Sequence, residues 1–254
     1  MLAPMRERAK FAPPDAVARD LAARVPLARR THLACVAACS LAAAFVLAGC
    51  DKGSESSLPQ HYDNKQEVLA DLEDPRRDGW ARPDEVVAAL PLDDPKMVVA
   101  DVGAGSGYFS RRIAGRIPAG KVIAVDVDAD FVDHVKTHRD AWGTPNVEPR
   151  LAMYENALLP ADSVDLVFVS NTYAYIRDRD AYFTGIQHAL HPGGKLVIID
   201  FRPDADLSGV DNAPKPAQRV ARDDVVRQIE GLGFALDHEE TFLPHQYYLV
   251  FERP

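Results

Sequence analysis

Residues 97–107 read MVVADVGAGSG, a run of six that is apolar but for Asp101, followed by glycines at alternate positions, Gly103, Gly105 and Gly107. A short apolar run bounded by turn residues predicts a strand buried on both faces. A helical pattern follows from Tyr108 to about residue 117. A glycine turn between a strand and a helix lets the backbone approach a ligand closely and points free N–H groups at it. The one charged residue of the strand, Asp101, stands immediately before that turn.

Working outward, the same alternation continues. KVIAVD at 121–126 predicts a second strand, which ends in Asp126, 23 residues after Gly103. At about this interval a carboxylate meets ribose hydroxyls in nucleotide-binding α/β units, although a strand-end acid also serves as a helix cap. Further strands are predicted near 147–152, from Asp165 to Ser170 and over LVIID at 196–200. The glycines of HPGG at 191–194 predict a tight turn out of a helix over 181–190. A helix over about 223–232 and strands at 235–240 and 247–252 close the chain. Upstream, Pro83 opens a helix through Leu90, with Asp84 and Glu85 in its first turn. Strands alternating with helices predict an open α/β sheet with parallel strands and crossover helices.

Taken in order, these segments resemble the class I S-adenosylmethionine-dependent methyltransferases. DVGAGSG at 101–107 is similar to that family's first motif, whereas a dinucleotide fingerprint would need glycine where this chain has Tyr108. Glu155 and Asn156 before Leu159-Pro160, the Pro192-Gly193-Gly194 turn, Trp80 to Val86 and Leu243 to Tyr247 extend the resemblance over about 170 residues. It implies a Rossmann-like three-layer sandwich with a seven-stranded, mostly parallel sheet and an antiparallel last strand. It implies S-adenosylmethionine as cofactor: Gly103, Ala104, Gly105 and Gly107 wrapping its methionine part, Asp101 orienting the ammonium, Asp126 on the ribose, Glu155 and Asn156 at the adenine, and Val127 and Asn171 completing the set. No metal is expected.

Methyl transfer from a sulfonium is an in-line displacement that alignment and exclusion of water largely accelerate, so no obligatory catalytic residue follows. A general base would sit in the loop after the fourth strand, where relatives often have histidine at the positions held here by Ala174 and Tyr175. Tyr173, Tyr175 and His245 are the candidates that remain; the competing role for both tyrosines is aromatic lining, since tyrosine ordinarily titrates near pH 10. Arg202, just past the fifth strand, is set either to meet an acidic substrate or to form a surface ion pair. Two function classes stand: a methyltransferase acting on a small molecule or an envelope component, and a membrane-tethered binding or scaffold protein that kept the fold without turnover.

Residues 1–50 carry seven Lys or Arg against three Asp or Glu, so the net charge of −9 leaves the remainder at −13. No basic stripe follows residue 50, which argues against a nucleic-acid partner. The three cysteines are Cys35, Cys39 and Cys50, so residues 51–254 hold no thiol for a disulfide, a zinc site or a nucleophile. Arg29 and Arg30 precede an uncharged run over 33–49, the pattern of a secretory signal. Leu47-Ala48-Gly49-Cys50 resembles a bacterial lipobox, which implies lipidation of Cys50 and a location in the cell envelope, on the periplasmic face of the inner membrane. The alternative is an uncleaved anchor with the domain on the cytoplasmic face. Residues 1–50 are thus expected to be an extension plus signal peptide, 51–64 a flexible tether and 65–254 the methyltransferase-like domain.

Overall fold

A computed structural model describes residues 64–210 and 213–254. The apolar run, Cys50 and the polar stretch after it lie outside the described residues. Three helices lead in: α1 (Lys65–Leu72), α2 (Arg77–Ala81) and α3 (Pro83–Ala89). The sheet region follows as β1 (Val98–Val102), α4 (Ser110–Arg116), β2 (Lys121–Asp126), α5 (Ala129–His138), β3 (Val147–Leu151) and β4 (Val164–Ser170). It continues through α6 (Arg179–Ala189), β5 (Leu190–Phe201), α7 (Arg222–Gly231), β6 (Ala235–Glu240) and β7 (Gln246–Glu252).

The seven strands run β3-β2-β1-β4-β5-β7-β6, and β7 alone is antiparallel to its neighbours. This is the expected Rossmann-like sandwich. Period-two alternation divides the core between two faces. Val99, Val122 and Leu166 pack with Val86, Ile113 and Val135 of α3, α4 and α5. Ala100, Ile123 and Val167 pack with Phe183, Ile186 and Ile229 of α6 and α7. Helices on both faces account for the uninterrupted apolar runs of the central strands. The edges are charged or interrupted, which discourages pairing with another chain: β6 carries Asp237, His238, Glu239 and Glu240, and β3 contains Pro149.

Local chemistry sets the helix ends. Asp128 caps α5 by accepting from Asp130 N at 2.9 Å, and Asp178 caps α6 by accepting from Ala181 N at 3.1 Å. Asp165 receives the N–H of Val98 at 2.7 Å and so ties the starts of β4 and β1, a structural role as its position suggests. Two features differ from the sequence reading. The HPGG segment belongs to β5, where Gly193 at φ +78° lies in an irregularity between the pairings of Leu190 and Lys195 with β4. The leading helices α1 and α2 are additional, and both contribute to the site.

The strand order reverses direction between β1 and β4, and in open α/β sheets ligands bind at the carboxyl ends of strands beside such a switch point. The turn after β1 and the loop after β4 meet there.

Candidate functional site

A cavity of about 230 Å³ opens at this switch point, lined by the turn after β1, the end of β2, the loops after β3 and β4, the end of β5 and the leading helices. The turn itself is held by β2. Gly103 N and Ala104 N both donate to Val125 O, at 2.8 and 3.0 Å. Gly103, Gly105 and Gly107 have φ of +76°, +54° and +80°, the left-handed region in which a side chain is strained. A Cβ on Gly103 would lie 2.2 Å from Thr172 Oγ1, and one on Gly105 would lie 3.1 Å from Leu72 Cδ1. The glycines therefore keep this floor of the cavity at backbone height.

Asp101 is 3% exposed and accepts from Ser110 Oγ at 2.5 Å. Burial pushes its carboxyl up to about 6, and the neighbouring Asp126 adds to the rise. Asp126 accepts from Gly105 N at 2.8 Å and from Asp128 N at 2.9 Å, so it braces the glycine turn from below while its remaining lone pairs open to the cavity. Burial raises its carboxyl as well.

Arg77 faces these acids. Its guanidinium lies 4.0 Å from the Tyr108 ring centroid, Nη1 donates to Leu72 O at 2.9 Å, and the buried Nε has no acceptor. Burial pushes it down to about 10, so it stays charged at neutral pH. Nothing in the residue pattern marks this arginine as a site group. The bonds of Glu73 to Arg111, at 2.8 and 2.9 Å, and of Tyr108 to Asp78 fasten α1 and α2 over the cavity.

The other expected site residues divide. Gly103, Ala104, Gly105, Asp126, Val127 and Asn171 line the cavity. Gly107 lies just behind it, where a Cβ would press on Trp142 and Val135 at 3.1 Å. Glu155 and Asn156 are exposed and outside the lining; the chain is bridged between Met153 and Asn156, and Met153 and Tyr154, themselves exposed, border the cavity instead. Asn156 Oδ1 is taken by Leu158 N at 2.7 Å. Tyr173 is fully buried, donates its hydroxyl to Gln228 and packs on Phe183 with ring centroids 5.2 Å apart, so it belongs to the core and not to the cavity. His245 also lies outside the lining, whereas Tyr175 is part of it. Arg202 is occupied by the carbonyls of Gln246 and Pro244 and meets no acid among the described residues.

Asp200 was not anticipated as a site group. It is 2% exposed, its carboxyl is pushed up to about 6 by burial, and it accepts from Ala174 N at 3.1 Å and Phe201 N at 2.7 Å. It thereby fixes the short turn Tyr173–Tyr175 and with it the direction of Tyr175. A carboxylate on the core-facing side of a strand end, in step with Leu196 and Ile198, was the available signal.

Residues 99–194 match the methyltransferase domain family. The fold is the class I methyltransferase fold. A solved S-adenosylmethionine-dependent methyltransferase from Aquifex aeolicus is similar at a TM-score of 0.69 and 22% identity, covering 76% of this chain and 100% of that one. Among curated relatives, malonyl-[acyl-carrier protein] O-methyltransferase of Xylella fastidiosa is 36% identical over 110 residues, 42% of this chain and 36% of that one. Trans-aconitate 2-methyltransferase of Azoarcus is 32% identical over 114 residues, 45% of this chain and 42% of that one. The matched segments thus span less than half the length of either curated relative.

Proposed function

We propose that the chain is an S-adenosylmethionine-dependent methyltransferase acting on a small molecule or an envelope component, with its domain held at a membrane through a lipid on Cys50. The observation that carries the enzymatic part is the bracing of the glycine turn by Asp126 directly beside the buried Asp101. A flat glycine floor, a carboxylate for an ammonium and a second carboxylate for a ribose are together what this cofactor requires.

When bound, the cofactor supplies an electrophilic methyl group on a sulfonium. Asp101 would hold the ammonium, Arg77 the carboxylate of the same methionine moiety, and Asp126 the ribose hydroxyls. Phe131, with Met153 at the rim, would border the adenine. The helices α1 and α2 exclude water, which strengthens these contacts. An acceptor in the same cavity would present a lone pair toward that methyl group, and any proton it loses would pass to a base at the cavity. Tyr175 remains the one base candidate in contact with the cavity.

Calorimetry on a protein spanning residues 58–254 is expected to show binding of S-adenosylmethionine and S-adenosylhomocysteine. Asp126→Ala is expected to weaken it by about 1.5–3 kcal/mol, the range for a hydrogen bond to a charged group. Affinity unchanged in that variant removes Asp126 from the site.

The second reading, a binding protein without turnover, draws on the absence of a histidine among the described residues lining the cavity. Transfer of labelled methyl groups into envelope extracts separates the two. The anchor is tested independently: Cys50→Ala is expected to leave an unprocessed precursor that takes up no labelled fatty acid. A wild-type chain that begins upstream of Cys50 and carries no lipid overturns that part alone.

A further inference from the structure

Beyond the cofactor residues the cavity changes character. Trp80 of α2 and Phe201 at the end of β5 stand with ring centroids 5.5 Å apart, inclined at 44°. Tyr175, Val210 and Pro214 continue that wall. Arg77 is the one cation among the described residues lining the whole cavity; its guanidinium lies 5.8 Å from the Trp80 ring centroid, and in the methyltransferase reading it is taken by the cofactor's carboxylate. The acids Asp101, Asp126 and Asp128 lie at the cofactor end.

Four other arginines close in sequence or in hydrogen bonding to the wall residues are engaged elsewhere. Arg82, two residues after Trp80, donates to Phe242 O at 2.6 Å. Arg202, next to Phe201, donates to Gln246 O at 2.8 Å and to Pro244 O. Arg219 donates to Pro214 O at 2.9 Å and Ala205 O at 2.8 Å. Arg179 donates to Tyr173 O at 3.0 Å and Ala174 O at 3.2 Å, below Tyr175. Turning any of them toward an anion would strip carbonyl oxygens of their donors, a cost that opposes the new ion pair. With the cofactor's carboxylate on Arg77, a second carboxylate in this half would be desolvated with no further cation among the described lining residues to receive it. A flat neutral ring instead meets aromatic faces and edges over its whole area.

We propose that the methyl acceptor is a neutral aromatic small molecule, seated against the contacting pair Trp80 and Phe201 with its accepting atom toward the cofactor end, and that free carboxylates are rejected. This rests on the methyltransferase reading. The test therefore begins with calorimetric binding of S-adenosylhomocysteine; failure at that step sinks the cofactor assignment and not merely the acceptor class. The loaded protein is then titrated at neutral pH with 2-naphthol and with 2-naphthoate, which share a ring skeleton and differ in charge. The expected result is tighter binding of 2-naphthol by about tenfold or more, in keeping with the cost of burying an unpaired carboxylate. Val210→Arg, which adds a cation at the partly exposed rim, is expected to close or reverse that gap while S-adenosylhomocysteine still binds. Equal or tighter binding of 2-naphthoate by the wild-type protein, or binding of neither compound at millimolar concentration, overturns the proposal.

Discussion

Gly103→Val is expected to abolish cofactor binding and to lower the unfolding midpoint by about 10 °C. Two independent effects add. A β-branched residue at φ +76° leaves the allowed backbone regions, at about 1–2 kcal/mol for the left-handed conformation alone. Its Cβ then falls 2.2 Å from Thr172 Oγ1 and 2.6 Å from Thr172 Cγ2, an overlap relieved only by pushing apart the turn after β1 and the loop after β4, typically at about 1–3 kcal/mol. Those two segments form the cavity floor, so the substitution damages the site by the same movement that costs stability. Gly115→Ala provides the contrast. It lies within α4 with nothing inside 4 Å of the added carbon, and the gain in helix propensity is expected to raise the midpoint slightly. Thermal denaturation of both variants, with and without S-adenosylhomocysteine, checks the pair. A Gly103→Val protein that keeps wild-type affinity would show that the turn is not the cofactor floor.

The same two segments mark how far the sequence could be read. Period and punctuation locate the ends of β1, β2 and β4, because apolar runs and glycine turns reflect burial on two faces and backbone freedom, and both leave a mark in residue type. Asp101, Asp126 and Asn171 sit at such ends and fall where the spacing puts them. Glu155 and Asn156 do not: they lie in a loop whose path depends on a local bridge and on the capture of Leu158 N by Asn156, with Leu158 itself at φ +54°, and no periodicity encodes which of four neighbouring side chains borders the cavity. Tyr173 fails for a related reason. The turn that follows β4 is held by Asp200, distant in sequence, and by Arg179 of the following helix, and it rotates Tyr173 into the core while Tyr175 meets the cavity. Arg77 was invisible because its meaning lies in what it stacks on, Tyr108, thirty-one residues away along the chain.

Asp101→Asn is expected to make the unliganded domain more stable at pH 8 and to cost it most of its cofactor affinity. The wild-type carboxyl is pushed up to about 6 in the folded protein, from an ordinary value near 4. A carboxyl raised in this way binds protons more readily in the folded state than in the unfolded one. It therefore opposes folding once ionised: the penalty is absent below about pH 4, grows between 4 and 6, and is complete above, reaching about 3 kcal/mol for a shift of about two units. Asparagine keeps an oxygen for Ser110 Oγ and has no charge to bury, so the midpoint of the variant is expected to exceed that of the wild type at pH 8, with the gap closing toward pH 4. Cofactor binding moves the other way. The ammonium of the methionine moiety loses its anionic partner, and affinity is expected to fall by about 10- to 150-fold, the equivalent of about 1.5–3 kcal/mol. In the wild type, affinity is expected to decline as pH drops through 6 and Asp101 takes up a proton; in the variant that dependence should flatten, leaving only the weaker contribution of Asp126. Denaturation and calorimetry across pH 4.5–8 read both effects in one pair of proteins. Lower stability at pH 8 together with unaltered affinity would make Asp101 a structural anchor for α4, and the ammonium would then need another partner.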